Sequence, residues 1–249
     1  MSVLVEICCG SVEDVVEAER GGANRVELCS ALPLGGLTPS AASIFEAKRL
    51  TKLPIMVMIR PRWGGFCYSA TDFAVMEREI ELAGELGADG FVFGCLDGEG
   101  LIEEKRTSVL VRRAGNLPSV FHRAFDVTTD PLRALDTLID LGVTRVLTSG
   151  QQRKSLDGAP LIRELIERAD DRIEILCGGG VRRENVAELI AKTGCRQVHL
   201  SVHRRMLDTS TYANRAISFG ADSLPPDDCV DIIDASAVKA VVEVTRTFT

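Results

Sequence analysis

Short runs of β-branched and aliphatic residues alternate with amphipathic stretches along the whole chain. A run of four to eight apolar residues bounded by turn formers reads as a buried strand, whereas apolar positions recurring every three or four residues read as a helix with one face inward. The strand pattern falls at Val3 to Cys8, Arg25 to Cys29, Ile55 to Arg60, Gly90 to Gly94, Ser119 to Arg123, Arg145 to Ser149, Glu174 to Cys177 and Gln197 to Ser201. The helical stretches between them carry legible ends. Ser11 with Asp14 three residues on forms a capping box, Thr38-Pro39 and Asp130-Pro131 place a capping side chain before a first-turn proline, and Gly21, Gly87, Gly142 and Gly194 close helices.

The helix-to-strand turns repeat. Gly22-Ala-Asn-Arg-Val26, Gly87-Ala-Asp-Gly-Phe91, Gly142-Val-Thr-Arg-Val146 and Gly194-Cys-Arg-Gln-Val198 lead into the even strands, while Leu53-Pro54 and Leu117-Pro118 lead into the third and fifth. Eight βα units of roughly 22 to 35 residues, alternating in turn type, predict a (β/α)8 TIM barrel, one domain spanning residues 1–249. A doubly wound open sheet is the competing topology. The first strand runs into Cys8-Cys9-Gly10-Ser11 without a GxGxxG string, which removes the support for that fold and for dinucleotide binding. Residues 203–230, rich in Arg, Asp and Pro, read as an irregular extension before a last helix from Ala235 to Arg246.

Composition narrows the partners. The chain has 249 residues, 45% hydrophobic and 26% charged, with a net charge of −7. That balance suits an ordinary globular protein and argues against a nucleic-acid surface, and no apolar run approaches the roughly 20 residues of a membrane span. A cytoplasmic location is expected, since Met-Ser-Val-Leu-Val-Glu6 has neither the basic flank nor the cleavage site of a signal peptide. With a full core available, the eight cysteines are expected as free thiols, and no CxxC pair suggests structural zinc.

In a parallel barrel ligands sit beyond the carboxyl ends of the strands. Polar residues gather there from most of the ring: Glu6 and Cys8, Glu27 and Cys29, Arg60, then His122, Arg123 and Asp126, and finally His199 and Ser201. The Glu-x-Cys repeat places acid and thiol on one face of each of the first two strands, and equal registers would set Glu6 beside Glu27 and Cys8 beside Cys29. Gly178-Gly179-Gly180 offers backbone N–H groups where barrels commonly hold phosphate.

The strings Glu6-Ile-Cys8, Gly21-Gly-Ala-Asn-Arg-Val-Glu-Leu-Cys29, Gly35-Gly-Leu-Thr-Pro-Ser40, Met58-Ile-Arg-Pro-Arg62, Phe121-His-Arg-Ala-Phe-Asp126, Arg145-Val-Leu-Thr-Ser-Gly150 and Gly178-Gly-Gly-Val181 resemble the CutC family of copper homeostasis proteins. The resemblance implies a cytoplasmic (β/α)8 barrel linked to copper tolerance, assembling into dimers or tetramers, with copper as Cu(I) on thiols that fall here at Cys8 and Cys29. Soft thiolates select Cu(I), and two suffice for a low-coordinate site. The chain departs from the family at Arg60-Pro-Arg-Trp-Gly-Gly-Phe66, where relatives carry an acid and this chain has Trp63 close by. The competing reading is a metal-free isomerase, lyase or hydrolase for a small phosphorylated or carboxylated metabolite. In it Arg60 and Arg123 clamp an anion, His122 acts as acid or base with Glu6, Glu27 or Asp126, and Gly178 to Gly180 with Ser201 and His199 hold a phosphate.

Overall fold

The computed structural model describes residues 3–219 and 225–248. Eight parallel strands close into a barrel in chain order: β1 Leu4–Cys9, β2 Arg25–Leu28, β3 Ile55–Met58, β4 Gly90–Phe93, β5 Ser119–Phe121, β6 Arg145–Thr148, β7 Glu174–Gly178 and β8 Gln197–Leu200. The (β/α)8 fold is therefore as the pattern predicts. Helices α1 Val12–Arg20, α2 Ala41–Leu50, α3 Ala70–Glu85, α4 Glu104–Ala114, α5 Pro131–Asp140, α6 Ala159–Ala169 and α7 Arg183–Thr193 follow the first seven strands, and α8 Ala235–Thr245 comes last.

Alternation along each strand sorts the side chains into two layers. Val5, Ile7, Cys9, Val26, Leu28, Phe91, Phe93 and Phe121 face outward into the large core beneath the helices. Cys29, Met56, Met58, Val92, Val120, Leu147 and Leu176 fill the inside, with Cys8 and Leu32 against them. Inside the barrel, glycines make room for bulky neighbours. A Cβ on Gly94 would stand 2.5 Å from the His122 ring, and one on Gly178 would meet Leu147 at 2.6 Å and His199 at 3.2 Å.

The amino-terminal half of the interior is charged. Arg25 pairs with Glu6 and donates to Gln197 Oε1 (2.9 Å), Gln197 donates to Glu174 Oε2 (2.7 Å), and Arg145 pairs with Glu174 (2.5 Å). These groups come from the first residues of β2, β6, β7 and β8 with Glu6 above them, and each finds an opposite charge or an amide, as buried charge requires.

Capping follows the sequence at Ser11, which accepts from Asp14 N (3.1 Å), and at Asp130, which accepts from Leu132 N and Arg133 N ahead of Pro131. Each such cap stabilises its helix by about 1 kcal/mol. Two details differ. Asp14 reaches past Ser11 to accept from Gly10 N (2.8 Å), and α2 starts later than Thr38-Pro39 suggests, capped by Ser40. Thr38 is engaged elsewhere: its hydroxyl accepts from Arg60 N and donates to Glu79 Oε2, both at 2.8 Å.

The stretch expected to be irregular is partly regular. β9 His203–Leu207 pairs antiparallel with β10 Cys229–Ile233, and a short 3-10 turn, Thr209–Asn214, follows β9. The foot of this ribbon is fixed: Ile233 N donates to Asp14 Oδ1 (2.8 Å) and Asp234 N to Val202 O (2.9 Å). All five residues of β9 are exposed, so no inside–outside alternation marks it in the sequence. Positions 220–224 of the expected extension lie outside the described residues.

Candidate functional site at the barrel mouth

β1 and β2 pair with Glu6 opposite Arg25 and Cys8 opposite Glu27, offset by two residues from the register that the Glu-x-Cys repeat suggests. Equal registers would have set two carboxylates side by side inside the barrel. The offset gives Glu6 a guanidinium instead, and because it is an even number the acids and thiols still face inward.

Glu27 stands at the centre of the resulting cluster. Its Oε2 shares hydrogen bonds with both thiols, Cys8 Sγ at 3.3 Å and Cys29 Sγ at 3.5 Å. His199 Nε2 lies 3.8 Å from the same oxygen, and its Nδ1 bonds to Glu6 Oε1 at 2.8 Å. Ligand atoms of Cys8, Glu27 and His199 all fall within 4.8 Å of one another, the spacing of a metal site. Met58, Leu147 and Leu176 surround the group with apolar surface.

Burial and charge divide the protons. Burial works to raise the Glu6 carboxyl, but the His199 hydrogen bond and the charge of Arg25 outweigh it and bring it down to about 2. His199 is itself opposed by burial, and Glu27, Cys8 and Glu6 together hold it well above its usual range as an imidazolium. Cys8 and Glu27 shift in opposite directions. Burial, with the charge of Cys8 next, pushes the Glu27 carboxyl well up. The hydrogen bond from Cys29 draws the Cys8 thiol well down against the opposing effect of burial, with His199 assisting. Cys29 is pushed up by its hydrogen bond to Cys8 and by burial, and keeps its proton.

A pocket of about 480 Å³ opens above this cluster, lined by Cys8, Glu27, Arg60, His122, Arg123, His199 and Ser201, and on its apolar side by Leu32, Met58, Phe66 and Leu147. Seven of the residues singled out in the sequence therefore meet at one opening. Others lie apart from it. Glu6 is not among the lining residues; it stands opposite His199 in the β1–β8 ladder and bonds to its Nδ1. Asp126 supports the loop after β6, accepting from Thr148 Oγ1 (2.5 Å), Ser149 N (3.0 Å) and Arg123 Nε (2.7 Å). Gly178, Gly179 and Gly180 are not among the lining residues. Gly179 O accepts from Ser155 N (2.8 Å), and Gly180 O accepts from Asn185 Nδ2 (2.9 Å). Cys29 is buried just beneath the lining, beside Gly36.

Arg60 is held as a strut, Nη1 donating to the carbonyls of Leu34, Gly35 and Gly36 and Nη2 to Gly64 O. Trp63 is exposed and is not among the residues that line the opening. Phe66, on the loop after β3, and Leu32, on the loop after β2, are lining residues that pattern reasoning passes over, since a loop has no periodicity to read. Met58 was within reach, two positions before Arg60 and hence on the same face.

Residues 3–204 match the sequence profile of the CutC family. The chain belongs to the CutC family. Among its relatives, a CutC family protein of Treponema denticola is 45% identical over 242 residues, covering 97% of this chain and 98% of that one. A human protein named copper homeostasis protein cutC homolog is 40% identical over 243 residues, covering 98% and 89%. The crystal structure of a putative copper homeostasis protein CutC from Streptococcus agalactiae aligns with a TM-score of 0.76 at 37% identity, covering 79% of this chain and 97% of that one. The resemblance read from the sequence strings is thus shown for this CutC chain, and no helix among its described residues is long and apolar enough to cross a membrane.

Proposed function

We propose that this CutC-family chain binds Cu(I) as cargo at the barrel mouth, with Cys8 and Cys29 as thiolate ligands and Glu27 and His199 beside them. The carrying observation is that both thiols converge on one carboxylate oxygen, Glu27 Oε2, next to an imidazole. Sulfur donors of this kind favour Cu(I) over harder divalent ions. Two thiolates around Cu(I) leave one net negative charge, and the His199 imidazolium offsets it at close range. Cys8 lines the pocket and is the half-buried thiol of the pair, so it meets the ion first. Cys29 then gives up its proton, which makes copper uptake proton-releasing and stronger as pH rises. A cytoplasmic trafficking role and assembly into a dimer or tetramer belong to the same reading.

The test is anaerobic competition for Cu(I) against a chromophoric chelator. The double variant Cys8→Ser with Cys29→Ser loses competitive binding while its circular dichroism stays that of the parent. Unchanged affinity in the folded double variant rejects these ligands.

A further inference from the structure

The opposite wall of the pocket carries an imbalance that copper on the thiols does not relieve. Arg60 is buried, its guanidinium donates to four backbone carbonyls and lies beside the buried Tyr68 hydroxyl, and among the described residues no carboxylate pairs with it. A buried cation without a counter-ion is costly. Its Nε is also buried without any partner.

His122 repeats the situation a short distance away. Ala124 N donates to its Nδ1 (3.1 Å), which fixes the proton on Nε2, and that Nε2 is buried and unpartnered. Burial first, and then the charge of Arg60, hold the ring down to about 3, so it is a neutral donor. Both groups pack on Phe66, the His122 ring at 4.9 Å between centroids and the Arg60 guanidinium at 5.2 Å from the ring centre, and both line the pocket.

We propose that the mouth of the barrel binds a small organic carboxylate, its two oxygens accepting from Arg60 Nε–H and His122 Nε2–H and its carbon skeleton lying against Phe66, Met58, Leu32 and Leu147. The anion supplies the counter-charge that Arg60 lacks, and two free donors match the two oxygens of a planar carboxylate. A phosphate group asks for more donors, and the glycine run that would offer them is not part of the lining. A pocket of about 480 Å³ leaves space for an organic body beyond the two oxygens. The assignment stands independently of copper, because neither donor belongs to the thiol cluster.

The probes are butyrate, phenylacetate and inorganic phosphate, titrated into the full chain labelled with ¹⁵N-histidine, whose three histidines keep the spectrum simple. Butyrate or phenylacetate saturates and shifts the His122 Nε2–H resonance, and phosphate does neither. His122→Asn keeps an acceptor for Ala124 N–H while withdrawing Nε2, and it weakens carboxylate binding about tenfold to a hundredfold, the worth of one hydrogen bond to a charged group. Three results overturn the proposal: no saturation by either carboxylate at about 10 mM, ten times a millimolar Kd; saturation that leaves the His122 signal in place; or phosphate binding as tightly as the carboxylates. Should His122→Asn not fold, the wild-type titration alone decides.

Discussion

Replacing Glu6 by Gln keeps the shape of the side chain and removes a charge on which two neighbours depend. One Glu6 oxygen pairs with Arg25 and the other with His199 Nδ1 at 2.8 Å. With its carboxyl at about 2 instead of the ordinary 4.5, Glu6 contributes about 3 kcal/mol to stability, at 1.4 kcal/mol per unit. The folded value is the depressed one, so this contribution is present above pH 4.5 and disappears as pH falls toward 2. The substitution also leaves Arg25 as a buried cation with an amide for company, a loss of about 3–5 kcal/mol for breaking a buried pair. For a chain of this size that corresponds to a melting temperature lower by about 6–20 °C at pH 7. Thermal unfolding followed by circular dichroism from pH 7 to pH 3 is the assay, with the His199 resonance read by NMR alongside. Glu6→Gln should melt earlier at pH 7, lose less than the parent on acidification, and lower the titration midpoint of His199. A melting temperature within about 2 °C of the parent, together with an unmoved His199 titration, would refute the account of Glu6 as keystone of the inner charges.

Two further outcomes follow from geometry and charge. Gly158→Ala drives a Cβ into the backbone of Ser149 and Gly150, where no side chain can yield, and overpacking of this kind costs about 1–3 kcal/mol or more; urea unfolding with an unchanged midpoint would contradict it. Cys8, drawn well down by its hydrogen bond from Cys29 against burial and with His199 assisting, should be alkylated by iodoacetamide at a rate that rises less steeply between pH 6 and 8 than that of an ordinary thiol, which gains about tenfold per unit in that range; peptide mapping that shows the full tenfold rise at Cys8 would count against the lowered thiol.

The eight strands were legible because fully buried parallel strands are dense in Val, Ile, Leu and Phe, and their observed limits fall within two residues of the pattern. The inner face was legible for the same reason: Glu6, Cys8, Glu27, Cys29 and His199 follow from a period of two. Their heights inside the barrel were not. The two-residue offset between β1 and β2 comes from the stagger that barrel closure demands and from the preference of Glu6 for Arg25, and neither is local in sequence. Glu6 stands opposite His199 in the β1–β8 ladder and does not line the pocket. Arg25, Arg145, Glu174 and Gln197 served in the sequence only to mark strand starts, yet they join Glu6 in one network of ion pairs and amide bonds. Arg60 was readable as a pocket residue, but its commitment to four loop carbonyls depends on where the loop after β2 folds back.

The ribbon of β9 and β10 leaves the barrel after Val202 and returns at Ile233, with both ends clamped by backbone hydrogen bonds and Asp14 at one place. These clamps join the end of β8 to the start of α8. Each doubling of such a closed excursion costs only about 0.6 kcal/mol of closure entropy. Among the described residues this is thus a place where added length would cost the ring of strands little.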